Sequence, residues 1–198
     1  VKQVIYIVLF WVSVIPGNTF GAEPMETLKA PIEQVISILN DPQYKTVPQK
    51  KIQREKLRDI ISQIFNYSFI AKSVLGRYHW QNSFTLKEKE EFSDVFARFL
   101  GNTYLDQIQE GYENEKVVFL NQEIINPSRA IVRTAIIRKK TEIPVNYLMR
   151  AYNGVWKIYD VNIEGVSLVQ NYRSQFRSIL LNETASELIE KLKSKVNQ

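Results

Sequence analysis

The chain has 198 residues, 44% hydrophobic and 24% charged, a composition that suits one globular domain with a real core. Its formal charge of +5 is spread without a run of five or six like charges, which argues against a basic nucleic-acid tail, and its aromatics fall in no RNA-recognition or zinc-finger spacing. With no cysteine it can form no disulfide and offers no thiol for lipid attachment, so its stability rests on burial.

The first segment has one lysine, an uncharged apolar run from Val4 to Ile15, then Pro16 and small residues up to Ala22. That is the pattern of a secretory signal peptide, with a cut after Gly21 or Ala22. The run falls short of the ~20 residues that span a bilayer. The expected organisation is therefore a signal peptide over residues 1–22 and one domain over residues 23–198, an exported protein and a monomer.

Helical spacing comes next. Leu28, Ile32, Val35, Ile36 and Leu39 share one face, and two prolines in Asn40 to Pro48 end that helix. Ile52, Leu57, Ile60, Ile61 and Ile64 line a second. A short third helix from Tyr67 is expected to stop at Gly76 as its C-terminal cap. Thr85-Leu86-Lys87-Glu88 is a capping box that opens the longest helix, to about Gln109. Its stripe of Phe92, Val95, Phe96, Phe99, Leu100, Tyr104 and Ile108 reads as core or as a wall facing a ligand.

After Gly111 the period changes to two, and residues 115–122, 129–138, 143–152 and 155–164 read as four antiparallel strands. In the fourth, Trp156 and Ile158 point opposite to Tyr159, Val161 and Ile163, so that either both faces are covered or the sheet is strongly curved. Glu164-Gly165 then turns into a helix carrying Leu168, Val169, Tyr172, Phe176 and Ile179. A last helix carries Leu188, Ile189, Leu192 and Val196. Helices, a four-stranded meander and helices again make an α+β domain.

Chemistry is sparse. His79 is the only histidine, and there is neither a glycine-rich phosphate loop nor a paired metal-ligand spacing. Asp160 lies among apolar residues and is expected to be tied to an arginine or a tyrosine, with a general-base role as the alternative. Arg77, Arg150 and Arg173 are expected in local ion pairs or at helix ends, with an anionic head group as the alternative.

Three stretches together carry a resemblance: "VLGRYHW" from Val74, "IPVNYLMR" from Ile143 and "GVWKIYDVNIEGVSLVQNYRSQF" from Gly154. In order and spacing, over residues 25–195, they resemble the MlaC family of periplasmic phospholipid-binding proteins, the toluene-tolerance auxiliary family. His79 in the first stretch departs from the family's pattern. The resemblance implies a curved sheet of the nuclear-transport-factor-two shape, closed by helices over an apolar cavity. It also implies a non-enzymatic periplasmic carrier without a cofactor or metal. Such a carrier shuttles phospholipid between an outer-membrane lipoprotein complex and an inner-membrane ABC transporter. Chosen by apolar face, the expected cavity wall is Val74, Leu75, Phe96, Leu100, Tyr104, Val132, Tyr147, Met149, Val161, Ile163 and Val166. The competing readings are a carrier of another lipid, such as a hopanoid, an isomerase or dehydratase of the same shape with Asp160 or His79 as base, and an exported interaction module whose aromatic face binds a protein.

Overall fold

A computed structural model describes residues 22–196. Apart from Ala22, the expected signal segment lies outside the described residues. No described helix is long and apolar enough to cross a membrane.

Helix α1 (Pro24–Asn40) begins with proline at its first position, where the missing N–H costs nothing, and carries a second proline, Pro31, in its interior. A 3-10 turn (Pro42–Lys45) leads to α2 (Val47–Ile64), which opens on a capping box formed by Thr46 and Gln49. Helix α3 (Tyr67–Asn82) does not stop at Gly76. Gly76 takes φ +70° and ψ 168°, which breaks the helix into two pieces, and the chain resumes helical geometry beyond it. Helix α4 (Leu86–Gly111) opens on the expected capping box. The Thr85 N–H donates to Glu88 Oε2 at 2.9 Å, and the Glu88 N–H donates to Thr85 Oγ1 at 3.2 Å.

The sheet is a meander of five antiparallel strands, one more than the sequence pattern suggests: β1 (Lys116–Asn126), β2 (Arg129–Arg138), β3 (Thr141–Tyr152), β4 (Val155–Ile163) and β5 (Val166–Ser167). The extra strand arises at Glu164-Gly165, where both residues have positive φ (51° and 87°). That pair suits a tight hairpin turn, so the chain folds back onto β4 for two residues before helix α5 (Leu168–Ile179) begins. Asn153-Gly154 turns β3 into β4 in the same way. Helix α6 (Ala185–Val196) closes the described chain.

Three bulges curve the sheet. Leu120 and Ile125 are the extra residues of β1, and Tyr159 is the extra residue of β4, since Leu148 pairs with Asp160 and Met149 with Ile158. The bulge at Tyr159 settles the mixed phase of the fourth strand. It shifts the alternation by one, so that Trp156, Ile158 and Val161 all join the same apolar cluster. Tyr159 turns the other way, to meet Phe69 edge-on at 5.7 Å. β1 is one edge of the sheet. The edge along β4 is met by the α2–α3 junction, where Phe65 bridges to Ile158 and the Asn66 N–H donates to the Ile158 carbonyl at 2.9 Å.

Candidate functional site

Two separate apolar clusters fill the molecule. The first is made by α3, α4, α5 and α6. At its heart Phe92 and Phe96 stack at 5.5 Å, and Tyr172 and Phe176 stand edge-on to Phe96 at 5.3 Å each. The second lies between the inner face of the sheet and the helices α1 and α2. Val132, Val145, Met149, Ile158 and Val161 come from the sheet; Leu28, Ile32 and Ile64 cover them.

The expected wall residues divide between these clusters. Val74, Leu75, Phe96 and Leu100 are buried in the helical cluster with Tyr104 against it, while Val132, Met149 and Val161 are buried on the inner sheet face with Tyr147 against it. Ile163 and Val166 belong to neither, with 39% and 61% of their surface exposed, because the β4–β5 turn carries them to the rim. The sequence selection omitted Leu28, Ile32, Ile64, Val145 and Ile158. Their helical and strand periodicities were visible, but which helix lies over which sheet face is a tertiary fact that periodicity does not contain.

The inner face is poor in polar groups. The Thr134 hydroxyl donates to the Val145 carbonyl at 3.0 Å and so needs no other partner. Burial pushes the Tyr147 phenol up to about 12, with the neighbouring Thr134 hydroxyl pulling the other way. The two helices that cover this face are held differently. Helix α2 is tied to α4 by an ion pair between Arg54 and Asp106, by Arg58 donating to Asn102 at 3.1 Å, and by Gln109 donating to Gln53 at 2.7 Å. Helix α1 meets the sheet through one side chain, Gln122, which accepts from the Met25 N–H at 2.9 Å and donates to Glu23 at 2.8 Å. The rest of that contact is apolar. Pro31 also leaves the Thr27 carbonyl without its α-helical donor, in the turn that carries Leu28 and Ile32, the two residues that plug the face.

Two hollows lie elsewhere. One of about 140 Å³ is bordered by Phe99, Tyr172, Phe176 and Leu192 in the helical cluster. A more open one of about 420 Å³ lies between α1 and α2, beside Ile38, Lys56 and Ile60.

The isolated candidates for catalysis have structural partners. Asp160 is not tied to an arginine or a tyrosine. Its carboxylate accepts from the Val161 N–H at 2.8 Å, the Ser167 hydroxyl at 2.6 Å and the Val169 N–H at 3.0 Å. It thereby pins β4 to the first turn of α5, where a negative charge suits the exposed amides. His79 lies 3.1 Å from the Ser83 hydroxyl, one helical turn on. Arg173 donates to the Ser73 carbonyl at 2.8 Å, joining α5 to α3, and Arg77 is exposed. Among the described residues no three His, Asp or Glu side chains are grouped to hold a metal.

Residues 29–194 match the family model described as MlaC protein. The chain belongs to the MlaC family. It is 23% identical over 180 residues to the intermembrane phospholipid transport system binding protein MlaC of Haemophilus influenzae, covering 88% of this chain and 83% of that one. It is 24% identical over 138 residues to the toluene tolerance protein ttg2D of Pseudomonas putida, covering 69% and 62% respectively. Its fold matches that of a phospholipid-binding protein from Ralstonia solanacearum, solved in complex with a phospholipid, at a TM-score of 0.75 and 22% identity over 89% of this chain and 98% of that one.

Proposed function

We propose that this protein is a phospholipid carrier whose acyl chains lie on the inner sheet face, beneath α1. The observation that carries this reading is the asymmetry of the cover: an almost wholly apolar face is plugged by Leu28 and Ile32 of a helix with a proline in its middle, whose polar anchors to the sheet and to α2 lie only at its two ends, Gln122 at Glu23 and Met25, and Gln53 at the Ile38 carbonyl. A phospholipid has on the order of 30 methylenes, and exposing them at ~0.8 kcal/mol each costs ~20 kcal/mol or more. A carrier must therefore supply a dry surface of comparable extent. Acyl chains that displace Leu28 and Ile32 would meet Val132, Val145, Met149, Ile158 and Val161 in the same apolar surroundings. A bilayer buries the chains equally well, so exchange between membrane and carrier is near neutral and proceeds at a docked donor or acceptor.

The names of the relatives from Haemophilus influenzae and Ralstonia solanacearum support this choice of ligand. On this reading residues 1–22 direct export and the working compartment is the periplasm. The partners are an outer-membrane lipoprotein complex and an inner-membrane ABC transporter, and the curved sheet under α1 is of the nuclear-transport-factor-two kind. No step of carriage needs a catalytic group, which agrees with the structural partners found for Asp160 and His79. The test is mass spectrometry of lipid extracted from the mature protein purified from its exported fraction. Phospholipid at about one molecule per protein is expected; a polycyclic lipid, or no lipid from protein purified without detergent, overturns the reading.

A further inference from the structure

On the outer face of the sheet, cross-strand register places Arg129 of β2 opposite Arg150 of β3, and Arg150 opposite Lys157 of β4. Like charges directly opposite one another on adjacent strands destabilise a sheet. Three in a row call for compensation. Lys157 finds it by donating to the Gln63 carbonyl at the end of α2. Arg129 and Arg150 do not: among the described residues neither joins an ion pair or donates a side-chain hydrogen bond. The arginines that do form ion pairs are Arg54, Arg133 and Arg138.

Arg150 is nevertheless held in place. Its guanidinium lies over the Phe69 ring at 5.3 Å and the Tyr152 ring at 5.4 Å. Contacts with two rings do not use up the five N–H donors of a guanidinium, so it can still donate to a ligand. The Tyr152 hydroxyl, in the same cluster, is buried and has no hydrogen-bond partner. The Arg150 guanidinium lies beside it and favours a hydrogen bond to the phenol oxygen, while the phenol proton, which arginine cannot accept, has no partner. Burial raises the Tyr152 phenol, and the charges of Arg150 and Arg129 oppose that rise, which places both cations near its oxygen.

We infer that Arg129 and Arg150, the second seated on the Phe69 and Tyr152 rings, form a binding site for a phosphate-type oxyanion on the outer sheet face. A tetrahedral oxyanion accepts from the N–H groups of both arginines, and it supplies the negative charge that the arginine pair lacks. The ligand is a phosphate ester or free phosphate. Its source is either a lipid head group or a soluble phosphate of the compartment. The site rests on residues outside the inner face and stands or falls apart from the carrier reading.

The test follows the side-chain N–H signals of Arg129 and Arg150 by NMR in lipid-stripped protein. One arm titrates inorganic phosphate and the other a short-chain phosphatidylglycerol below its micelle concentration, both against sodium chloride at matched ionic strength. Saturable shifts with the lipid at lower concentration than with phosphate identify a head-group site. Saturable shifts with phosphate at equal or lower concentration identify a soluble ligand. No saturable shift in either arm, or the same shift with chloride, overturns the proposal. Arg150→Gln is expected to weaken binding by about tenfold or more. An Arg150→Gln protein that melts earlier yet binds phosphate like the wild type would make the arginine a structural staple and end the proposal. Lipid occupancy of wild-type protein, measured separately by mass spectrometry, reports on the carrier reading alone.

Discussion

Two residues chosen from sequence for the same wall, Leu100 and Tyr147, now lie in different surroundings, and the same substitution separates them. Leu100 is buried among the stacked rings of the helical cluster. An ionised carboxylate there has no partner and costs several kcal/mol, a large part of the ~5–15 kcal/mol that holds a domain together. Leu100→Asp is therefore expected to unfold or aggregate, as read by circular dichroism and thermal melting. Tyr147 is only partly buried, against the inner sheet face, where a shorter side chain under a weakly held helix can reach water. Tyr147→Asp is expected to stay folded and to be purified without bound lipid. A folded Tyr147→Asp protein with wild-type lipid content would place the acyl chains elsewhere.

At the scale of elements, the carrier reading turns on α1. Replacing Pro31 with alanine restores a backbone donor in mid-helix. Interior proline costs ~3 kcal/mol relative to alanine, partly offset because proline also restricts the unfolded chain by ~0.4–1 kcal/mol. Pro31→Ala is expected to raise stability by roughly 2 kcal/mol in denaturant titrations and to slow lipid transfer between vesicles, since the lid bends less readily. Faster or unchanged transfer in the stabilised protein would show that α1 is not the lid. Most of these elements were legible in the sequence, from the Leu28–Ile32 face of α1 to the Thr85–Glu88 box that starts α4. The misreadings have local causes. Gly76 looked like a stop because glycine at positive φ often ends a helix; here the chain resumes after it. β5 was missed because two residues are too few for a period. The phase of β4 was unreadable because a bulge alters alternation without altering composition, and Phe96 and Met149, grouped together from sequence, fall in different clusters because two apolar stripes look alike until they are packed.

For the whole molecule, stability should depend on pH at both ends of the range. Hydrogen bonds from the Thr85 hydroxyl and backbone N–H hold Glu88 below its ordinary 4.5; those from the Thr184 backbone and hydroxyl hold Glu187 below it; and Lys139 does so for Glu113. A carboxylate whose value is lower in the folded protein stabilises it above the ordinary value, and that contribution is lost as pH falls through the depressed one. At the alkaline end burial raises Tyr67 and Tyr147 from 10.0 to about 12, so their contribution is present below 10 and is lost as pH rises toward 12. The melting temperature is expected to be flat between these limits and to drop below pH 4.5 and above pH 10. Because the carboxylates are exposed and screened, the acid drop should be the gentler of the two; a rise on acidification below 4.5 would contradict the capping geometry. The two bulges of β1 have a different consequence. A sheet edge rich in valine and isoleucine, such as "VVFLNQEII" in β1, invites a neighbouring molecule to add its own strand. Leu120 and Ile125 interrupt the regular row of N–H and C=O groups, so no long flat stretch is offered. On the carrier reading an oily face is uncovered at each exchange, and the two surplus residues of this one strand then stand as a barrier to fibre growth.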